Sequence, residues 1–229
     1  MLILNLNCEG QYNKKVKKRY LKTRKNNSLE RYSINVNGKN AIVLELTEDD
    51  LSNSDVLTLL KIYKGRVLAS VEYVCKENIK EYLFDPVDYY KRALISSLIN
   101  QLKTINRDWM SVSIKTKCFK PFKELYELVR ISKAITIITD NNASTHKFLN
   151  ECYNEYGAIV SVDKECYKRD AVFMNLDEID NKGKLMISVK GREFLLYPDN
   201  RYFENSVEYQ KLSKYNIEHS IICAAFSDK

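Results

Sequence analysis

Glycine, proline, tryptophan and histidine are scarce in this chain, which has 6, 3, 1 and 2 of them among 229 residues. With two histidines, few acid–base or metal-binding sets are available. The six cysteines form no CxxC pair, and a chain of this length does not need disulfides for stability, so we expect reduced thiols and a cytoplasmic protein. Apolar runs are far shorter than the ~18 residues of a membrane helix, so no membrane span is predicted.

Lysine, asparagine, isoleucine and tyrosine are abundant instead. Together with the scarcity of glycine, proline and tryptophan, this is the residue set that AT-rich codons encode, which favours a low-GC bacterial genome. An apolar content of 45% and a charged content of 29% are typical of a folded globular protein rather than a disordered one.

Positive charge is concentrated in one stretch, KKVKKRYLKTRK, called here the basic segment (residues 14–25). The chain has 37 basic and 30 acidic residues, and 8 of the basic residues lie in this segment. The remaining 29 basic and 30 acidic residues nearly cancel, so the segment accounts for the whole net charge of +7. Such a cluster attracts nucleic acid or an acidic protein surface, although a solvated lysine-rich helix explains the same composition. The basic residues are Lys14, Lys15, Lys17, Lys18, Arg19, Lys22, Arg24 and Lys25.

The amino-terminal third has the pattern of strands and a hairpin. Residues 2–6 alternate as a first strand, and two alternating runs on either side of Asn37-Gly38 predict a hairpin, because Asn-Gly accepts the positive φ angles of a tight turn. A short helix over residues 52–63, capped by Ser54 or Asp55, and a strand over residues 67–74 follow.

A long helix begins at Asp85-Pro86, where aspartate caps and proline fits the first turn. Residues beyond 110 predict the order strand, helix, strand, helix and two strands, with short connections. The second of these helices is predicted to have Phe148, Cys152 and Tyr153 facing inward and to end at Gly157. Residues 110–176 resemble Rossmann-type proteins in element order alone. A second hairpin around Lys190-Gly191 and a terminal helix at residues 217–226 complete the chain.

The predicted fold class is therefore α/β, with an antiparallel hairpin in the amino-terminal part and a Rossmann-like parallel βαβ carboxyl part that lacks a Gly-rich cofactor turn. The predicted division is residues 1–84 and residues 85–229, or one continuous domain. No cofactor is predicted.

The turn TDNNASTH after the strand AITII is the place where a ligand of an α/β sheet is expected. It has no glycine for a dinucleotide and no Gly-Lys-Ser/Thr end for a P-loop, so capping of the next helix by Asn142 or Ser144 explains it well. One alternative is a phosphate bound at the helix amino terminus. In the other, Asp140 resembles the acidic residue at a strand end that accepts a phosphoryl group or a metal in response-regulator-like sheets. The candidate ligand-binding residues are Asp140, Asn142, Ser144, Thr145 and His146.

Other chemistry is sparser. His219 and Cys223 share a helix face at a spacing that suits two metal ligands, but their apolar surroundings favour packing. An edge strand at residues 111–115 would allow a homo-oligomer. The sequence therefore favours a non-catalytic binding or regulatory protein with an anionic partner, and the alternative is a nucleotide- or phosphate-binding enzyme or sensor that uses residues 139–146.

Overall fold

The computed structural model describes residues 1–6, 30–46, 49–70, 77–105, 110–140, 143–163, 172–199, 212, 214–215 and 217–226. The basic segment and Asn142 lie outside these residues. The chain forms two compact units, Met1–Pro86 with Phe203–Lys229, and Val87–Tyr202. Each has its own mixed sheet, so the predicted α/β class, with an antiparallel pair in the first part and parallel βαβ elements in the second, is confirmed.

The first unit contains a four-stranded sheet in the order β2-β3-β1-β4, built from β1 (Leu2–Leu6), β2 (Glu30–Val36), β3 (Lys39–Leu46) and β4 (Val67–Ala69). The predicted hairpin joins β2 and β3, and its turn has φ of 48° at Asn37 and 74° at Gly38. Asparagine and glycine are the residues that tolerate this left-handed backbone.

The first unit also has α1 (Ser54–Ile62), which lies between β3 and β4 in the sequence, and the short α2 (Glu77–Lys80), which follows β4. The cap of α1 is Asn53 rather than the predicted Ser54 or Asp55, and its side-chain oxygen accepts a hydrogen bond of 2.8 Å from the backbone N–H of Asp55. The predicted strand over residues 67–74 is described only to Ser70, and it ends at Ala69.

Phe203–Lys229 belongs to the first unit, whereas the sequence-based division assigned it to the second part. The reason is apolar packing, because residues of α6 (His219–Phe226) and of the turn before it enter one core cluster with β1, β3 and β4. In addition, the hydroxyl of Tyr215 lies 2.8 Å from that of Tyr32 on β2. These contacts join segments that are far apart in sequence.

The second unit contains a six-stranded sheet in the order β10-β9-β8-β5-β6-β7. The pairs β8–β5, β5–β6 and β6–β7 are parallel, whereas the pairs β8–β9 and β9–β10 are antiparallel. The predicted second hairpin joins β9 and β10 through Lys190-Gly191, both with positive φ. The strands are β5 (Ser111–Lys115), β6 (Ala134–Ile138), β7 (Val160–Asp163), β8 (Val172–Asn175), β9 (Leu185–Val189) and β10 (Arg192–Leu196).

Three helices pack on one face of this sheet: α3 (Val87–Ile105), α4 (Lys123–Ile131) and α5 (Ala143–Tyr156). The chain steps from β5 to β6 to β7 in one direction, and right-handed crossovers then place both connecting helices on the same side. Helix α5 is followed by Gly157 with φ of 60°, as predicted, but the inward placement of Tyr153 is wrong, since its side chain is 74% exposed.

The proposed oligomer through an edge strand at residues 111–115 is also wrong in its choice of strand. β5 is hydrogen-bonded to β6 on one side and to β8 on the other, so it has no free edge. Among the described residues, no helix is long and apolar enough to cross a membrane.

Candidate functional site

The carboxyl ends of β5 and β8 form the place in the second unit where a ligand site is expected from topology. After β5 the chain moves away on one side to β6 and β7, and β8 then pairs with the opposite side of β5. The strand order therefore reverses between β5 and β8. In open α/β sheets, ligands bind at the carboxyl ends of strands at such a switch point.

Polar side chains occupy this switch point, and we call Lys91, Thr116, Asn175 and Asp177 the switch-point cluster. The carboxylate of Asp177 accepts a hydrogen bond of 2.8 Å from the backbone N–H of Lys117. Asn175, the last residue of β8, accepts one of 3.3 Å from the backbone N–H of Asp177 and thereby caps the 3₁₀ turn at Leu176–Glu178. The loops that follow β5 and β8 are thus tied to each other.

Thr116 lies at the centre of the cluster and is 3% exposed. Its hydroxyl lies 3.3 Å from the Lys91 ammonium, 3.4 Å from the carbonyl oxygen of Cys118 and 3.4 Å from a carboxylate oxygen of Asp177. Bonds between a hydroxyl and another oxygen are normally about 2.5–3.0 Å long and N–H···O bonds about 2.7–3.2 Å, so all three contacts are long and weak.

Lys91 brings a half-buried cation to the cluster from α3. Within the part of the chain that the structure describes, no carboxylate forms a salt bridge with it, and Thr116 is its hydrogen-bond partner. A partly desolvated ammonium without an opposite charge favours an anion nearby. The carboxylate of Asp177, which shares Thr116 with the lysine, limits how much negative charge the cluster accepts.

The turn predicted from sequence lies beside this cluster, after β6. Thr139, 6% exposed, donates a hydrogen bond of 3.3 Å to the carbonyl oxygen of Lys117. Ser144 donates one of 2.7 Å to the carbonyl oxygen of Phe119, so its hydroxyl ties α5 to the loop after β5. These two bonds fix the turn against the loop that carries Thr116.

The other predicted residues of the turn differ in accessibility. Asp140 and His146 are exposed, whereas Thr145 is 1% exposed. Asn142 and the eight basic residues of the basic segment lie outside the described residues. The structure thus brings Asp140 and Ser144 to the edge that holds the switch-point cluster, and the side chain of Thr145 is buried.

Sequence reasoning missed Lys91, Thr116, Asn175 and Asp177. A signal for two of them existed, since Thr116 directly follows one strand and Asn175 ends another. Their neighbourhood depends on β8 pairing with β5 rather than with β7, which no local pattern reveals. Lys91 lies on the long helix predicted to begin at Asp85-Pro86, where a single lysine gives no signal of a site.

The thiols of the described residues do not add a reactive group to either unit's core. Burial raises the pKa of Cys152 to about 11, with the carboxylates of Glu151 and Glu155 adding to it. Burial likewise raises the pKa of Cys223 to about 12. Both are therefore protonated near neutral pH and are poor nucleophiles. The described residues contain no group of three His, Cys, Asp or Glu side chains that could hold a metal ion, and the side chain of His219 is not among those described.

Comparison with known proteins gives no match: no protein-family model, curated protein or solved structure is similar to this chain.

Proposed function

We propose that this protein is a non-catalytic binding or regulatory protein with an anionic partner, which it contacts through the basic segment. The observation that supports this proposal is the concentration of 8 of the 37 basic residues within residues 14–25, where the sequence has no acidic residue. The rest of the chain, with 29 basic and 30 acidic residues, is nearly neutral.

Nucleic acid is the partner that such a segment favours most, because a phosphate backbone offers a regular row of negative charges. Each phosphate contact releases condensed counterions, so affinity falls steeply as salt rises. An acidic protein surface also attracts the segment, but it releases fewer counterions and gives a weaker dependence on salt.

The test is fluorescence anisotropy with labelled duplex DNA, single-stranded RNA and polyglutamate between about 50 and 200 mM salt. The test variant is Lys17→Gln/Lys18→Gln/Arg19→Gln. We expect it to weaken binding and to reduce the slope of log affinity against log salt by about 2–3, since each lost contact with duplex DNA lowers that slope by about 0.9.

The matched control removes the same charge from exposed positions of the second unit: Lys103→Gln/Lys182→Gln/Arg192→Gln. The control should bind like the wild type, apart from the small loss due to net charge. If the test variant and the control bind equally well, the basic segment is not the contact and the proposal is wrong.

The second candidate function is binding of a small phosphate-bearing ligand, such as a nucleotide, at the switch-point cluster and the turn at residues 139–146. This would make the protein a sensor or an enzyme. The observation that favours it is the half-buried Lys91 beside Thr116, whose hydroxyl has only bonds of 3.3–3.4 Å. A ligand phosphate would pair with the ammonium and accept a hydrogen bond from the hydroxyl.

Thermal unfolding with nucleoside triphosphates, dinucleotides and inorganic phosphate tests this candidate. A ligand at about a hundred times its Kd adds about 2.7 kcal/mol of stability. Lys91→Gln should abolish that gain, whereas Lys103→Gln, an exposed lysine on the same helix, should keep it. A panel in which no ligand raises the unfolding temperature, or a gain that survives Lys91→Gln, contradicts the candidate.

A further inference from the structure

A pocket of about 460 Å³ lies in the second unit at the amino ends of β6 and β7, away from the switch-point cluster at the carboxyl ends of the strands. Helices α4 and α5 end beside it. Its walls come from residues 129, 130, 132, 133 and 156–159. The backbone there is held by the N–H of Lys133, which donates to the carbonyl oxygen of Met110, and by that of Ile135, which donates to the carbonyl oxygen of Ile159, each at 3.2 Å. The volume lies within the range of about 300–1,000 Å³ that small-molecule sites have.

Two cations line this pocket, Arg130 and Lys133, and none of the described residues that line it is acidic. Neither side chain forms a salt bridge with a described residue. Both stand near helix carboxyl ends, whose partial charge is about −0.5 for each helix. The two side chains carry a charge of +2 in total, and the two helix ends together carry about −1. The pocket therefore has a net charge of about +1 and attracts about one negative charge.

Ser132 adds a hydrogen-bond donor to the same wall. It is 6% exposed, and its hydroxyl has no hydrogen-bond partner among the described residues. Buried hydroxyl groups are nearly always paired in folded proteins. Since Ser132 lines the pocket, a ligand there would supply the partner that this hydroxyl lacks.

The remaining walls are aromatic and apolar. The guanidinium of Arg130 stacks over the ring of Tyr156, with its carbon 4.6 Å from the ring centroid. This contact holds the planar guanidinium in place while its edge N–H groups stay available for a carboxylate. Ile159 borders the pocket and is 73% exposed, so its side chain is available to contact an apolar ligand.

We propose that this pocket, called here the amino-edge pocket, binds a small organic monocarboxylate with a flat apolar body. The carboxylate is held by Arg130, Lys133 and Ser132, and the apolar body lies against Tyr156 and Ile159. A single negative charge matches the net charge of the walls, whereas a phosphate monoester would bring nearly two. The proposal is independent of the basic segment and of the switch-point cluster.

Isothermal titration calorimetry with 2-naphthoate tests the proposal on the full chain. We expect saturable binding to the wild type and weakening of at least tenfold by Arg130→Gln, because a carboxylate loses a charge-assisted pair of hydrogen bonds. Ser132→Ala should weaken binding by about threefold to tenfold without lowering the unfolding temperature, since the hydroxyl has no hydrogen-bond partner among the described residues.

Two controls separate the site from general charge and packing effects. Lys103→Gln removes a cation from the last turn of α3, the same kind of position that Arg130 has in α4, and it should leave the affinity unchanged. Methyl 2-naphthoate keeps the flat body without the charge, and 2-naphthyl phosphate keeps the flat body with a second charge; both should bind at least tenfold more weakly than 2-naphthoate. The proposal is overturned if 2-naphthoate does not bind the wild type, if Arg130→Gln or Ser132→Ala leaves its affinity unchanged, or if either analogue binds as tightly.

Discussion

Gly183 should be the most sensitive glycine among those that the structure describes with a positive φ. It lies in the turn before β9, with φ of 78°, and is buried. A Cβ atom built at this position would lie 2.7, 2.9 and 3.0 Å from three carbons of the Tyr90 ring. Tyr90 belongs to α3 and is 1% exposed, so its ring has little room to move away.

The cost of Gly183→Ala has two parts. Holding alanine in the left-handed region costs roughly 1–2 kcal/mol, and forcing an extra methyl group into a packed core typically costs about 1–3 kcal/mol. Gly191 provides the control, because its φ is 76° and nothing lies within 4 Å of its added Cβ. Gly191→Ala therefore has the first cost without the second.

Thermal unfolding followed by circular dichroism measures the difference between the two variants. For chains of 150–250 residues, 1 kcal/mol corresponds to roughly 2–4 °C, so Gly183→Ala should unfold about 2–12 °C below Gly191→Ala. Equal unfolding temperatures would refute the reasoning, since they would mean that the contact with Tyr90 relaxes at no cost.

Four further predictions concern a cap, an ion pair, the reactivity of two thiols and the effect of pH on one of them. Asn53→Ala should cost about 1 kcal/mol in urea unfolding by removing the cap of α1, and Asn53→Asp should not; equal losses would show that the side-chain oxygen is not the stabilising group. Arg92→Lys should cost about 1 kcal/mol, because Arg92 bonds both carboxylate oxygens of Glu124 at 2.9–3.2 Å and lysine cannot form that fork; an unchanged urea midpoint contradicts it. At pH 8, iodoacetamide should modify exposed Cys118 well before buried Cys152, as peptide mapping would show, and similar rates would contradict the burial. Burial raises the pKa of Cys152 from 9.0 to about 11. The stability that the buried neutral thiol contributes should therefore be complete below pH 9 and lost as the pH rises through 11. Urea unfolding of the wild type and of Cys152→Ala between these pH values would check this.

Local chemistry made the elements predictable, and long-range pairing did not. Asn37-Gly38 and Lys190-Gly191 mark hairpins because their turns need positive φ angles, and Asp85-Pro86 marks the start of α3 because proline suits a first turn. In contrast, the sequence does not show that β8 pairs with β5, because such pairing follows from the packing of distant strands. The prediction that Tyr153 faces inward was wrong for a related reason. Helical spacing shows which residues lie near the buried face of a helix, but it does not define how wide that face is.

The candidate sites were predictable only where a motif is contiguous. The turn after β6 was found because it directly follows a strand, and the structure places Ser144 against the neighbouring loop. Lys91, Thr116 and Asp177 come from three separated segments, so their proximity has no signature in the sequence. The amino-edge pocket was missed because Arg130 and Lys133 look like ordinary cations at the end of a helix.

The division of the chain has a consequence for biosynthesis. The second unit is one continuous stretch, Val87–Tyr202, whereas the first unit needs Phe203–Lys229 to complete its core. During translation the second unit has all its residues before the first unit does, although it begins later in the sequence. β1 precedes every other described strand in the sequence and belongs to the same core cluster as α6, so part of the apolar surface around β1 is covered only after α6 has been made. During synthesis the apolar side of β1 that α6 covers therefore stays exposed while the whole second unit is being made.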